Sequence, residues 1–420
     1  MLSNIYIGIY ALLWIFITVL YIYKTKTIGI AGLLLIIYSV SSLASIFYFN
    51  ALDGVLHGNM ISIEFAPLIF LFFCLNICML PIYIHSKQLA KLKVRRESSR
   101  IMSFFKILLT MLAPIIIEAF LEMLYVASKI NPNELSDIYE SENRNIVFPF
   151  VGEYTTGICK RLQFIWPIFF FVFLENKKDR IYAFLALIAY LVIVLYSYAN
   201  AGRVGIVKLI FTFILVFILF RNNIDTVMRK KILKRGLIIF LFFVLMLGLI
   251  TVSRYGASNM RLDIVAWISL YLGEAPINFS QYLWTVNNTM EGDNMFSMAK
   301  TLIGMDAITD VTLRREHWTS ILGIPNNIFY SWIGDVYLDI GRILTLFFCV
   351  VFCFCLEMYI RKIMQQKSYN LFSILIMSMI LLVFMFGFMY FPYKVYGFQI
   401  LIVSNVVFLL ICQFINRKYK

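Results

Sequence analysis

The chain has 420 residues, of which 61% are hydrophobic and 14% are charged, and its net charge is +14. A soluble domain carries about 25% charged residues, so most of this chain is expected to be dissolved in lipid. The basic residues lie in short loops between apolar segments, where they orient helices and face anionic headgroups. We therefore expect membrane lipids, and not nucleic acid, as partners.

Eleven segments are apolar enough to be interpreted as helices that cross the hydrocarbon layer. In chain order they are Ile5–Tyr23, Ile28–Phe49, Ile63–Ile84, Phe104–Val126, Leu162–Leu174, Ile181–Tyr198, Val204–Phe220, Leu237–Val252, Ile340–Ile360, Leu371–Phe391 and Phe398–Ile415. The pattern predicts an all-α, polytopic integral membrane protein with about 11 transmembrane helices. Residues 1–252 would hold the first eight, residues 253–339 one large extracytoplasmic loop, and residues 340–420 the last three helices and a cytoplasmic tail.

Lysine and arginine concentrate in every second connection, and this asymmetry predicts the orientation of the chain. The basic connections cover residues 24–26, 87–100, 177–180, 221–235, 361–367 and 417–420. If these are cytoplasmic, the N-terminus lies outside, the C-terminus lies inside, and residues 253–339 face the exterior. The seven cysteines lie in or beside apolar segments without a suitable ligand partner, so no metal, cofactor or disulfide is expected.

The large loop contains a helical pattern near its start. Apolar residues recur at i, i+3, i+4, i+7 and i+8, which predicts an amphipathic helix that Pro276 limits. The residues of the pattern are Ile264, Trp267, Ile268, Tyr271 and Leu272. The helix could lie in the outer headgroup layer as a lid, or pack on the bundle without a chemical role.

Several arginines lie on the predicted outer side, where topology does not require them. They are Arg203, Arg254, Arg314 and Arg315, the last two followed by Glu316 and His317. Guanidinium groups bind phosphate bidentately and keep their charge at any working pH. Arg203 also follows Gly202 and opens a helix, whose first N–H groups favour an anion. The alternatives are a snorkelling arginine at Arg203 and a self-paired, solvated turn at 314–317.

Glu118 and Glu122 occupy one face of the fourth span, at i and i+4. Ionisable side chains inside a membrane are costly and face a cavity or a partner. Lys208 lies in the seventh span at a depth similar to that of Glu122. We predict an ion pair or a shared cavity between Glu122 and Lys208, with a functional or a purely structural role left open.

Three short motifs lie within this frame. They are Ala199–Arg203, Tyr271–Pro276, and Gly323–Asn327 leading into Asp335–Gly341. With the eleven-span bundle and its dominant outer loop, they make the chain resemble the bacterial oligosaccharide repeat-unit polymerases, the O-antigen and capsular polysaccharide polymerase family, which is related to the O-antigen ligases. The first motif is similar to the family's Gly-Arg turn, and the last to its aromatic stretch ending in Asp-x-Gly.

The resemblance implies a glycosyltransferase at the outer face of the bacterial inner membrane. It would move a growing glycan from one undecaprenyl diphosphate onto the terminal sugar of another lipid-linked oligosaccharide, with a chain-length regulator and a flippase as further partners. The leaving group is a diphosphate, so fixed cations can stabilise the transition state. The candidates for this binding role are Arg203, Arg254 and Arg261, followed by Arg314 and Arg315.

The acceptor hydroxyl needs a base within hydrogen-bonding reach, and His317, Glu274 and Asp335 all stay open for this role. The sequence contains no acidic metal-binding cluster, so we expect transfer without a metal. A flippase or another transporter, and a ligase with a different acceptor, are the rival interpretations. The charge gathers in the long outer loop rather than deep within many spans, which favours an enzyme over a transporter.

Overall fold

The computed structural model describes residues 2–52, 62–130, 148–200, 202–236, 241, 264–325 and 328–418. Its helices are, in chain order, α1 (Leu2–Thr25), α2 (Gly29–Leu52), α3 (Phe65–Leu89), α4 (Ser99–Lys129), α5 (Gly152–Arg161), α6 (Ile165–Leu174), α7 (Arg180–Ala199), α8 (Arg203–Phe220), α9 (Ile264–Asn278), α10 (Ser297–Leu302), α11 (Val311–Leu322), α12 (Ser331–Gln365), α13 (Leu371–Phe386) and α14 (Tyr396–Lys418). Residues 226–236 are also helical. Two short strands, β1 (Lys93–Val94) and β2 (Ser368–Tyr369), pair in parallel.

The chain is an all-α, multi-pass membrane protein, as its composition predicts. Seven helices of the described part are long and apolar enough to cross a membrane, and the bent pair α5–α6 could form an eighth span. Two shorter apolar helices, α8 and α13, coincide with the predicted seventh and tenth spans. The predicted eighth span, Leu237–Val252, falls almost wholly outside the described residues.

The chain divides into two compact units. The first contains residues 1–91, 262–366 and 380–400, and the second contains residues 92–261, 367–379 and 401–420. In the first unit, α1, α2 and α3 pack on one another, α3 packs on α12, and α9 packs on α2. Trp14 is fully buried at the centre of the three-helix contact, stacked on Tyr38 at 4.8 Å between ring centroids.

Helix α9 contacts α2 backbone to backbone. An added Cβ at Gly273 would lie 2.4 Å from the backbone of Ala44 and Ser45, so only glycine permits this approach. Of the predicted apolar stripe, Ile268 is exposed and Tyr271 and Leu272 are half-buried, whereas Ser269, which lies outside the stripe, is buried. The alternative of a helix packed on the bundle therefore describes this contact.

The expectation that Pro276 limits this helix is wrong. Helix α9 continues through Pro276 to Asn278 and leads directly into a π-helical turn, Phe279–Leu283. Proline cannot donate a hydrogen bond to the carbonyl four residues earlier, which belongs to Leu272. That carbonyl instead accepts a hydrogen bond from the Ser41 hydroxyl, at 2.6 Å. The partner helix thus satisfies the group that proline leaves without its helical bond.

Helix α12 begins nine residues before the predicted span and consists of two parts. It breaks at Gly341, whose φ of 77° is in the region that favours glycine. Residues 331–339 are buried on all sides, whereas the part after the break exposes large apolar side chains such as Ile343 and Phe347. The second part corresponds to the predicted membrane span, and the first belongs to the interior of the unit.

In the second unit, α4 packs on α7 and α5, and α6 packs on α7 and α8. Helices α5 and α6 meet at a 73° bend, and the Trp166 indole donates to the Cys159 carbonyl across it at 2.8 Å. The two short strands align Lys93 with Ser368 and Val94 with Tyr369. The helix contacts build a helical core, and the strand pair joins two stretches that are far apart in sequence.

We expect Gly273→Ala to lower the thermal unfolding midpoint of the protein. The added methyl group would press on the α2 backbone, which cannot move aside as a flexible side chain could, and overpacking of this kind costs about 1–3 kcal/mol or more. Gly8→Ala is the matched control, because an added Cβ there meets no atom within 4 Å. It should be neutral or slightly stabilising. Equal midpoints for the two variants would contradict the close packing of α9 on α2.

Candidate functional site

Two aspartates on the buried first part of α12 organise a polar region in the first unit. Asp335 and Asp339 are one helical turn apart and almost inaccessible to solvent. Asp339 accepts hydrogen bonds from the backbone N–H groups of Asn294 at 3.0 Å and Met295 at 2.5 Å. Asp335 accepts from the Asn294 side chain at 2.9 Å and from the Phe391 N–H at 2.6 Å. The two carboxylates therefore fix residues 294–295 and 391 against one helix.

Two cations lie beside these aspartates, the buried Arg314 and the half-buried Lys394. The Arg314 guanidinium donates from Nη1 to the carbonyls of Asp293 and Lys394, both at 3.0 Å. The Lys394 ammonium group lies 3.3 Å from Asp335 Oδ1. Burial lowers the pKa of both Arg314 and Lys394, and the negative charge of Asp335 opposes that shift. Arg315 is exposed, and its positive charge repels both cations. This repulsion lowers the pKa of Arg314 and of Lys394, as burial does.

These residues line a small cavity of about 30 Å³. Its lining includes Arg314, Arg315, Lys394, Asp335 and Tyr330. Three cations thus converge on one opening, with a single carboxylate among the lining residues. The cavity is too small for a diphosphate, so an anion of that size would lie at its mouth, beside Arg315.

A larger polar cleft of about 750 Å³ is lined by Asp293, whose carbonyl accepts a hydrogen bond from Arg314 of the small cavity. The Asp293 carboxylate accepts hydrogen bonds from two other lining residues, from Lys300 Nζ at 2.5 Å and from the Trp318 indole at 3.1 Å. The other lining residues are Asn287, Asn288, Thr289, Glu291, Asp306, Ala307, Ile308, His317 and Ile321. Amides, carboxylates and one exposed imidazole make this cleft suited to a hydroxyl-rich ligand.

Glu274 occupies a separate position on α9. Its carboxylate accepts a hydrogen bond from the Phe329 N–H at 2.9 Å, and Asn278 donates to the Phe329 carbonyl at 3.1 Å. Burial raises the pKa of Glu274 to about 7, although the hydrogen bonds from Phe329 and Asn278 oppose the shift. Glu274 lines neither the small cavity nor the cleft.

The structure brings together part of the predicted site. Arg314, Arg315 and Asp335 line the small cavity, and His317 lines the neighbouring cleft. Arg254 and Arg261 lie outside the described residues, and Arg203 begins α8 in the second unit without a described side chain. Their predicted roles stay predictions.

The predicted partnership of Glu122 with Lys208 also stays a prediction. Both side chains are buried in the second unit, on α4 and α8. Glu122 Oε2 accepts a hydrogen bond from the Gly152 N–H at 3.1 Å. Sequence reasoning did not anticipate this contact with the start of α5.

Several residues of the polar region were missed at the level of sequence. Lys394 is a cation in a predicted outer turn, so the reasoning that selected the outer arginines would also have selected it. Asp339 lies four residues after Asp335, a spacing that becomes informative once the helix is known to start at Ser331. No sequence signal marks Asn294 or Asp293. Among the described residues, no group of three or more His, Cys, Asp or Glu side chains is arranged to hold a metal ion.

We expect Glu274 to make stability depend on pH. Between its ordinary pKa of 4.5 and its folded value of about 7, the folded chain holds a proton that the unfolded chain has released. Its contribution to the free energy of unfolding is therefore complete below pH 4.5 and is lost as pH rises through about 7, on the order of 3 kcal/mol in all. Thermal unfolding from about pH 5 to 8 should show Glu274→Gln gaining stability relative to wild type. A difference that does not change with pH would contradict the assignment.

No protein family, curated protein or solved structure matches this chain. The functional inference therefore depends on the residues of the polar region and on the membrane architecture around them.

Proposed function

We propose that the protein is a glycosyltransferase that polymerises oligosaccharide repeat units carried on undecaprenyl diphosphate into surface polysaccharide. In this proposal it works at the outer face of the bacterial inner membrane, with its N-terminus outside and its C-terminus in the cytoplasm. The multi-pass helical architecture suits a lipid-borne substrate. The resemblance in the outer motifs supplies the reaction class.

The observation that carries the proposal is the convergence of Arg314, Arg315 and Lys394 on one cavity. Like charges this close repel, so the arrangement favours an anionic ligand. Asp335 neutralises part of the charge through Lys394. A diphosphate at the mouth would supply further negative charge, and it gains more as the glycosyl bond breaks. Cations already in place stabilise that leaving group without having to protonate it.

The adjoining cleft suits the acceptor sugar. Its polar lining can donate to and accept from hydroxyl groups, and Asp293 in that lining accepts through its carbonyl from Arg314, which lines the cation cavity. The lipid-linked glycosyl donor and the acceptor sugar would therefore meet beside residues 293–294. Asn294 of this segment is hydrogen-bonded to both Asp335 and Asp339. These bonds fix the positions of the two subsites relative to each other.

Among the three candidate bases, His317 has the most suitable position. It is exposed and lines the cleft, next to the Trp318 ring at 4.9 Å between centroids. Asp335 is occupied by three donors, so its role is to hold Lys394 and the neighbouring backbone. Glu274 bonds to Phe329 and contacts neither subsite. His317 would take the proton from the acceptor hydroxyl as that oxygen attacks the anomeric carbon and the diphosphate departs.

Deletion of the gene separates the proposal from its rivals. A strain without a polymerase should carry single repeats attached to its lipid anchor. A strain without a flippase should accumulate lipid-linked repeats at the inner face, and a strain without a ligase should retain long chains on undecaprenyl diphosphate. Either of the last two phenotypes would overturn the proposal.

We expect Arg315→Ala to slow polymerisation by about 100-fold, because removal of one transition-state contact of this kind costs about 2.7–4 kcal/mol. The side chain is exposed, so folding should be unaffected. The measurement is polymer length and transfer rate with lipid-linked repeats in proteoliposomes. Glu316→Ala, on the next exposed residue, is the matched control and should retain full-length polymer. Equal activity of the two variants would contradict a diphosphate site at this cavity.

A further inference from the structure

A second polar feature lies in the second unit, where the proposed transfer reaction makes no use of it. Glu118 and Glu122 are one turn apart on α4, a helix long and apolar enough to cross the membrane. Glu122 is only 6% exposed. Carboxyl groups in this environment are costly and need a partner that offsets their charge.

The surroundings of Glu122 are shaped to receive its carboxyl group. Its Oε2 atom accepts from the Gly152 N–H at 3.1 Å, at the first turn of α5, where backbone donors lack helical partners. An added Cβ at Gly152 would lie 2.2 Å from Oε2, so glycine at this position is what permits the contact.

The remaining carboxyl oxygens have no donor among the described residues. Both oxygens of Glu118 and Oε1 of Glu122 are buried without a hydrogen-bond partner when the groups are treated as carboxylates. The two side chains lie at i and i+4 on the same face of α4, so these unpartnered oxygens belong to neighbouring carboxyl groups. The Thr156 hydroxyl, on the same short helix as Gly152, is buried and also without a partner in the described part of the chain.

The charged and titratable side chains of α5, α7 and α8 are the candidate partners of the pair. From α5, the Cys159 thiol interacts electrostatically with Glu118, and the Lys160 ammonium group lies 3.8 Å from the centre of the Tyr196 ring of α7. Also on α7, the Tyr190 hydroxyl donates to the Leu209 carbonyl. Glu153 and Arg161 on α5 are exposed, and Lys208 is buried on α8. Among the described residues, no ion pair within 4.0 Å joins a cation to either glutamate.

We propose that Glu118 and Glu122 form a proton-binding site inside the membrane-spanning region, with one proton held between the two carboxyl groups. Protonated Glu118 donates to Glu122 Oε1, while Glu122 Oε2 continues to accept from the α5 backbone. The proton comes from hydronium in the surrounding water: one O–H bond of hydronium breaks, an O–H bond to Glu118 forms, and a water molecule is released. Its release leaves two adjacent negative charges in an apolar region, and the contact between α4 and α5 then has to change. The site thereby couples proton occupancy to the bent α5–α6 pair.

The test uses dicyclohexylcarbodiimide, a hydrophobic reagent that modifies protonated carboxyl groups in apolar surroundings. The full-length protein in lipid nanodiscs is labelled across a range of pH and the peptides are identified by mass spectrometry. Glu118 should be labelled at neutral pH, and Glu118→Gln should remove the label without transferring it to Glu122. Glu357 should stay unlabelled, because it is paired with His85 and Arg361. Absence of label on Glu118 in the wild-type protein would overturn the proposal.

A second variant tests whether the proton is shared. Glu122→Gln replaces the anionic partner with a neutral one, so the pH midpoint of Glu118 labelling should fall by about one unit or more. An unchanged midpoint would show that Glu118 is protonated alone, and would refute the shared site. Lys208→Met should leave the midpoint unchanged, whereas a rise would identify Lys208 as the counterion instead. Protection from the label by sodium chloride, but not by choline chloride, would assign the site to a metal cation and not to a proton.

Discussion

Separate stretches of chain are fastened to the buried first half of α12 by the carboxylates of Asp335 and Asp339. One stretch is the turn at 294–295, whose backbone N–H groups point at Asp339. Another is the turn at 391–394, which offers a backbone N–H and an ammonium group to Asp335. A buried carboxylate without donors would cost several kcal/mol, so these bonds must form together with the fold. The position of Lys394 follows from them, and they hold the segments whose carbonyls accept from Arg314.

The start of α12 strengthens this arrangement. The N–H groups of Ser331 and Trp332 would have no partner within their own helix, and they donate to the carbonyls of Met389 and Gly387. The connection between α13 and α14 is thereby held at residues 387–389, in addition to its bonds to Asp335 at 391 and 394. Arg314 completes the assembly by joining the carbonyls of Asp293 and Lys394 through a single nitrogen. A polar interior of this kind is rigid, because each donor is matched to an acceptor fixed by another segment.

Sequence reasoning succeeded for properties that depend only on residues close together along the chain. Hydropathy identified the long apolar helices of the described residues, since any apolar stretch of sufficient length must satisfy its backbone internally in lipid. It failed at α9, where a residue from another helix satisfies the Leu272 carbonyl and allows Pro276 inside the helix. It also could not join Asp335 to Asn294 or Lys394, because these pairs are 41 and 59 residues apart in sequence. Arg314, Arg315 and His317 could be selected by residue type and predicted side of the membrane, but their division between a cavity and a cleft depends on packing.

The break at Gly341 has a consequence for how this chain can vary. On one side of it, residues 331–339 contact protein in every direction, so a change in size or polarity there disturbs several neighbours at once. On the other side, Ile343, Phe347 and Phe354 present large exposed surfaces, which hydrocarbon tails would cover. Exchange of one apolar residue for another on that surface alters few protein contacts. Sequence drift should therefore be uneven within a single helix, slow for its first nine residues and fast beyond the glycine.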